Sequence, residues 1–199
     1  MIIAFVAVLY LVELIDQLTN HTLDRNGIRP LETDGLWGII WAPLLHANWV
    51  HLIANTVPAL VLGFLMTLAG ISVFIWATAI VWIVGGFGTW LIGNWGGCPI
   101  ESDHIGASGL IFGWLTFLLV YGFFVRKFWN IIAGLVVLFA YGGVLVGAVP
   151  VLNQCGGVSW QGHFSGALAG VLAAYLLSGP QRKARAQQKA GTGLRYPAP

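Results

Sequence analysis

The sequence predicts an all-α protein that crosses a membrane several times. Of its 199 residues, 58% are hydrophobic and only 8% are charged, and the mean hydropathy is +0.83. Soluble domains carry roughly 25% charged residues, so this composition excludes an ordinary soluble protein. The apolar residues are also grouped into long uncharged stretches, which is the pattern of membrane-spanning helices.

Six apolar stretches are long enough, or nearly so, to span a bilayer, which takes about 20 helical residues. They are residues 2–18, 49–68, 71–92, 108–125, 128–149 and 163–178. We therefore expect one bundle of six transmembrane helices over residues 1–180. The tail, residues 181–199, is polar, basic and interrupted by Gly and Pro, so we expect it to be disordered.

The charges are distributed unevenly along the chain. All seven acidic residues lie in the first 103 positions, whereas seven of the nine basic residues lie after position 121. Arg126 and Lys127 follow the fourth stretch, and the other five basic residues lie in the tail. By the positive-inside rule both places, and hence both termini, are cytoplasmic. This asymmetry indicates topology in a lipid bilayer, and we expect no nucleic-acid partner.

Two polar residues open apolar stretches at similar depth. Ser108 begins the fourth stretch, whose 18 residues span roughly 27 Å. His163 begins the sixth stretch, which is a little shorter and places the imidazole a few ångströms deeper. Each has a structural interpretation, a serine bonding to its own helix or a histidine bridging two helices. Their matched depth on the outer side favours a functional pair, because ionisable groups in spans mark functional sites.

Small residues show how the two helices could meet. Gly166 and Gly170 share the helix face of His163, forming a Gly-x-x-x-Gly groove that a neighbouring backbone can approach. Gly109 flanks the Ser108 face. A serine hydroxyl beside a neutral histidine is the minimum apparatus for acyl transfer, since the base must accept the hydroxyl proton. No acidic partner is evident, so the sequence favours a Ser-His dyad over a triad.

Acyl transfer also needs hydrogen-bond donors for the tetrahedral oxyanion. His51 and Asn55 are four residues apart on the second stretch and project from one face. The backbone N–H of Ser108, at a helix N-terminus, is a third candidate donor. The alternative role for His51 and Asn55 is polar contact between helices. His46 points elsewhere and is expected to hold the turn before the second stretch, and His21 and His104 are loop residues without a named partner.

Three motifs together carry a family resemblance. They are His-x4-His-x3-Asn at residues 46–55, Gly-Ala-Ser-Gly at 106–109 and Gly-His-x-x-Gly-x-x-x-Gly at 162–170. In order and spacing they resemble the rhomboid family of intramembrane serine proteases. One departure is that the first loop lacks the Trp-Arg pair of many bacterial rhomboids, which leaves the position of this loop open.

The resemblance implies a site and an activity. Ser108 would be the nucleophile and His163 the general base, with His51, Asn55 and the Ser108 N–H forming the oxyanion hole. Phe112 would pack against the catalytic imidazole, and Gly106 would open the serine motif. The implied substrates are single transmembrane segments cut near their outer end, without cofactor or metal, in a bacterial plasma membrane.

Other interpretations remain open at the level of sequence. An inactive rhomboid-like protein would bind transmembrane segments without cutting them. A metal site built from His46, His51, His104 and His163 is weaker, because no known ligand spacing is present. A transporter would be expected to show broken helices at the midplane.

The two cysteines belong to none of these motifs. Cys98 and Cys155 lie in the loops that precede the two catalytic helices, on the side that the charges predict to be outside. An oxidising compartment permits a Cys98–Cys155 disulfide across the mouth of the site. Two free thiols are the alternative.

Overall fold

The computed structural model describes residues 1–95, 103–149 and 159–192, and helix dominates all three ranges without any β-strand. The all-α class is therefore confirmed. The main helices are α1 Ile2–Leu18, α2 Trp49–Leu68, α3 Ile71–Ile92, α4 Ser108–Val125, α5 Phe128–Ala148, α6 Trp160–Leu177 and α7 Gly179–Thr192. Helix α3 contains a π-helical turn at Val81–Gly85, and α5 ends as a 3-10 helix at Gly142–Ala148.

Within the described residues, four helices, α2 to α5, are each long and apolar enough to cross a membrane, and the bent pair of α6 and α7 would be a fifth if it forms one span. Helix α1 has only 17 residues. The prediction of six spans is thus supported for four or five of them. Helix α6 begins at Trp160, three residues before the predicted start, because the Ser159 hydroxyl caps it by accepting from the Gly162 N–H at 3.0 Å.

The tail differs from the expected disorder over residues 181–192, because Gly179–Thr192 is helical. Alanine, glutamine, lysine and arginine are strong helix formers, and Pro180 stands near the helix start, where proline is tolerated. Arg182 fixes the bend by stacking 3.9 Å over the Tyr175 ring and donating to the Tyr175 carbonyl oxygen at 2.9 Å. The tail therefore continues from the bundle as a basic helix.

Helix α4 lies at the centre of the bundle. Of the residues of α4, 67% are buried inside the protein, against 11% of the residues of α5. Helix α5 therefore lies at the periphery. Trp114, Leu115 and Phe117 supply the largest fully buried side chains of α4. The apolar side chains exposed on the outer helices face the lipid, where they need no protein partner.

Glycines bring α6 into backbone contact with α4. A Cβ atom at Gly166 would overlap the carbonyl oxygen of Gly109, and one at Gly170 would overlap that of Gly113. The same close approach lets the Thr116 hydroxyl donate to the Ala167 carbonyl oxygen at 2.8 Å. The groove predicted from the glycine spacing is therefore the α4–α6 interface.

The first loop packs on α3 although the Trp-Arg pair is missing. The indole N–H of Trp82 donates to the Ile39 carbonyl oxygen at 2.8 Å, and that of Trp90 donates to the Glu32 carbonyl oxygen at 2.8 Å. Ile28 also pairs with His104 in an antiparallel bridge. These bonds hold the loop beside the segment that leads into α4.

Candidate active site

Ser108 is the first residue of α4 and follows a turn that only glycine adopts easily. Gly106 has φ +118°, and its N–H donates to the Ala42 carbonyl oxygen at 2.8 Å. A Cβ atom at Gly106 would lie 2.7 Å from the imidazole of His51. The turn therefore brings the start of α4 directly against the His51 ring.

His163 is buried in the first turn of α6 and is held on two sides. Its ring stacks on Phe112, with 4.0 Å between centroids and 12° between planes. Its Nδ1 lies 3.1 Å from the Gly147 carbonyl oxygen. Because a carbonyl can only accept, Nδ1 carries the proton, and Nε2 of the neutral ring is left as an acceptor.

The start of α4 and the start of α6 lie side by side. A Cβ atom on Gly109 would lie 3.4 Å from the Gly162 carbonyl oxygen, so the residues next to Ser108 and His163 are in contact. No hydrogen bond joins Ser108 to His163 in the described chain. Hydrogen bonds between catalytic groups are often long without substrate and shorten when it binds.

Asn55 is a buried amide with a free donor. Asn55 is 6% exposed, and its Nδ2 has no hydrogen-bond partner among the described residues. Nδ2 of an amide can donate twice, and an unpaired buried donor costs roughly 1–3 kcal/mol. The N-terminal end of α2 is capped by Asn48, whose Oδ1 accepts from the His51 N–H at 2.9 Å.

His46 contacts the turn before Ser108, whereas the sequence predicted that it would hold the turn before the second stretch. It is buried, and its Nε2 accepts from the Ala107 N–H at 3.4 Å. Burial, with a smaller contribution from nearby His51, lowers the pKa of His46 to about 4. The ring therefore stays neutral near pH 7 and keeps its acceptor nitrogen.

A second contact between the two helix starts was missed by sequence reasoning. His104 Nδ1 lies 2.6 Å from the Ser159 hydroxyl, which in turn caps α6 through the Gly162 N–H. Burial lowers the pKa of His104. The Ser-x-x-Gly spacing at 159–162 was a capping signal, but nothing in the sequence linked it to a histidine 55 residues away.

A cavity of about 50 Å³ adjoins the serine. Ser108, Gly109, Gly162 and Gly166 line it together with His104. One water needs roughly 10–15 Å³ of such space. The cavity therefore has room for a few waters next to Ser108.

The remaining sequence predictions have different outcomes. The four histidines of the alternative metal site do not form a ligand cluster in the part of the chain that the structure describes. Cys98 and Cys155 lie outside the described residues, so their disulfide stays a prediction.

These features define a multi-pass helical membrane protein with a Ser/His/Asn site at one end of its central helices. The family model described as Rhomboid domain matches residues 33–180. The chain therefore belongs to the rhomboid family, which confirms the resemblance carried by the three motifs.

Similar proteins occur in mycobacteria. An uncharacterized protein of Mycobacterium tuberculosis (strain H37Rv) is 73% identical over 196 residues, which are 98% of this chain and 82% of that protein. An uncharacterized protein of Mycobacterium bovis shows the same identity and coverage. An uncharacterized protein of Mycobacterium leprae is 69% identical over 191 residues, 96% of this chain and 76% of that protein.

Proposed function

We propose that this chain is an intramembrane serine endopeptidase with Ser108 as nucleophile and His163 as general base. The observation that carries the proposal is the fixed His163 ring. Phe112 stacks on it, and the Gly147 carbonyl oxygen holds its Nδ1–H, which leaves Nε2 as the acceptor that a serine hydroxyl needs. This ring stands on a helix whose backbone touches the helix of Ser108.

In the proposed hydrolysis, Ser108 acts as the nucleophile and His163 acts first as a base and then as an acid. Ser108 Oγ attacks the scissile carbonyl carbon while His163 Nε2 takes the hydroxyl proton. The resulting imidazolium returns that proton to the leaving amine as the C–N bond breaks. Water then attacks the acyl-enzyme ester and gives a proton to His163. His163 passes this proton to Ser108 Oγ as the ester C–O bond breaks, which releases the new carboxyl terminus and restores the serine hydroxyl.

The oxyanion of each tetrahedral intermediate needs donors that are already in place. The Ser108 N–H at the start of α4, the unpaired Asn55 Nδ2 and the His51 ring are the groups assigned to this role. His51 stands against the Gly106 turn, next to the serine. A donor fixed by the fold costs no reorganisation during the reaction.

Asn55→Ala is expected to lower kcat by roughly 10² to 10³ while KM changes little. The loss arises because Asn55 donates to the oxyanion and only weakly to the bound peptide. Thr56→Val is the matched control, since Thr56 is the neighbouring polar residue and donates to the Leu52 carbonyl oxygen at 2.8 Å within its own helix. A change in KM alone for Asn55→Ala would make this residue structural.

The substrates proposed are single transmembrane segments that reach the site through the lipid and are cut near their outer ends. The topology inferred from the basic residues places the starts of α4 and α6 on the outer side, with both termini in the cytoplasm. The cavity beside Ser108 brings hydrolytic water to that depth. No cofactor takes part in this mechanism.

The second candidate function is that of an inactive relative that binds transmembrane segments. The missing hydrogen bond between Ser108 and His163 favours it, since an idle serine needs no base. The two candidates differ in the reactivity of Ser108 alone. Only an activated serine is acylated or phosphonylated at a useful rate.

Labelling with a fluorophosphonate separates the two functions. The full chain in detergent micelles is expected to label at one residue, Ser108, as located by peptide mass spectrometry. His163→Ala should remove the label, and Ser178→Ala, a buried serine at the far end of α6, should keep it. A well-folded wild-type chain that takes up no label would support the inactive relative instead.

A further inference from the structure

The outer end of α1 carries a cluster of ionisable side chains that the proposed protease does not use. His21 Nδ1 lies 3.4 Å from Asp16 Oδ2 and 3.5 Å from Asp24 Oδ2. One ligand atom from each residue falls within 4.8 Å of the others. The side chain of Asp16 is 2% exposed, that of Asp24 22% and that of His21 42%, so the cluster is reached from one side only.

Asp16 points an unpaired oxygen into this cluster. Its Oδ1 accepts from the Leu23 N–H at 2.7 Å, but its Oδ2 has no hydrogen-bond partner among the described residues. His21 Nδ1 and Asp24 Oδ1 are likewise without hydrogen-bond partners. Burying an ionised carboxylate without a partner is costly. A protonated His21 ring would form an ion pair with both carboxylates, and a metal ion could replace that proton on Nδ1.

Glu13 adds a further carboxylate one turn earlier on the same face of α1. It is buried, and its Oε2 also has no hydrogen-bond partner within the described residues, while its Oε1 receives a 3.4 Å bond from Gln17. Among the ion pairs of the described chain, none joins a lysine or arginine to Glu13, Asp16 or Asp24.

The spacing of the ligand atoms fits a tetrahedral metal ion. Zn²⁺ binds histidine nitrogen and carboxylate oxygen at roughly 2.0–2.2 Å, so two of its ligands lie roughly 3.4 Å apart. The two distances from His21 Nδ1, 3.4 and 3.5 Å, agree with that separation. An imidazole among the ligands also disfavours Ca²⁺ and Mg²⁺, which take six or more oxygen ligands.

The geometry points to a divalent metal site of the zinc class formed by Asp16, His21 and Asp24. Water supplies the fourth ligand. The ion joins the C-terminal end of α1 to the beginning of the first loop, so its role is structural. This site is independent of the proposed protease activity, since none of its ligands lines the cavity beside Ser108.

The test is Zn²⁺ binding to the full chain in detergent, with any affinity tag removed and the protein first stripped with a chelator. Competition against a chromophoric zinc chelator is expected to give one site per chain. X-ray absorption of the loaded protein should show one nitrogen ligand and a remainder of oxygen. Zn²⁺ should also raise the melting temperature, because it binds the folded state.

Variants locate the site. His21→Ala is expected to weaken Zn²⁺ binding by at least about 100-fold. Asp16→Asn and Asp24→Asn should do the same. The side chain of His21 is 42% exposed, so its removal leaves no large cavity, and the melting temperature of the metal-free variant checks that the fold is kept. Asp34→Asn is the matched control, an acid of the same loop that pairs with Arg29 and should keep full affinity.

Three results would overturn the proposal. The first is the absence of stoichiometric Zn²⁺ binding to folded wild-type protein. The second is binding that His21→Ala leaves unchanged, which would place the ion on other histidines. Displacement of Zn²⁺ by an equal concentration of Ca²⁺ would contradict the assignment to the zinc class.

Discussion

Replacing Ser108 by alanine is expected to lower the rate of cleavage of a single-span substrate by roughly 10⁴ to 10⁶, to the limit of detection. In the proposed mechanism this change removes the atom that bonds to the peptide, while α4 keeps its start and its packing. His163→Ala should lose as much, and the double variant no more, because nucleophile and base act as one unit. The measurement is the appearance of the cleaved fragment in liposomes that contain enzyme and substrate together.

The control for this experiment must separate lost chemistry from lost folding. Ser178→Ala removes a buried hydroxyl whose one partner among the described residues is the Tyr175 carbonyl oxygen, at the other end of α6 from His163. It should keep near wild-type activity, and all variants should melt near the same temperature. If Ser108→Ala cleaves at a tenth of the wild-type rate or faster, another group is the nucleophile and the mechanism is wrong.

Helix positions could be predicted from the sequence because lipid leaves little choice. A backbone in hydrocarbon must satisfy its own hydrogen bonds, so a long uncharged stretch becomes a helix from end to end. The predicted limits of α2, at 49–68, and of α4, at 108–125, match the structure. Helix ends that are set by a capping residue were harder to predict, as Ser159 shows. A loop contains several polar residues that could cap the helix, and the sequence does not show which of them does.

The tail shows a different limit of sequence reasoning. Its composition suggested disorder, because it buries too little apolar surface to pack as a domain. Helix α7 forms without such packing, from intrinsic propensity and from the contact of Arg182 with Tyr175. The composition therefore indicated that the segment is polar, but it did not predict that its backbone is helical.

Contacts between distant loops lie beyond what spacing can predict. The orientation of His163 depends on the Gly147 carbonyl oxygen, which lies 3.1 Å from its Nδ1 and belongs to the 3-10 segment that ends α5. No partner for His21 could be predicted from the sequence. Its contact with Asp16 depends on the left-handed backbone of Asn20 and His21, which turns the chain back towards α1. Both arrangements require backbone angles that no side-chain pattern encodes.

The packing of α4 on α6 leads to the second large effect, which concerns Gly166. Gly166→Ala is expected to destabilise the protein by about 1–3 kcal/mol or more and to abolish most of the cleavage. The added methyl would overlap the Gly109 carbonyl oxygen, which belongs to backbone and cannot rotate away. The helices must then separate by roughly an ångström, and Ser108 and His163 separate with them. A misplacement of that size can cost about 100-fold in rate.

Gly143→Ala is the matched control for this prediction, because a Cβ atom at Gly143 meets nothing within 4 Å. In a helical segment each replacement gains up to about 1 kcal/mol of helix propensity, so propensity alone predicts stabilisation in both cases. Only close contact between α4 and α6 predicts opposite changes in melting temperature for the two variants. Gly166→Ala should melt below the wild-type temperature, and Gly143→Ala at that temperature or above it. Thermal unfolding in detergent and the liposome cleavage assay, run on both variants, measure the two consequences together. If Gly166→Ala melts and cleaves like Gly143→Ala, α4 and α6 do not meet through their backbones, and the catalytic pair must be held together in another way.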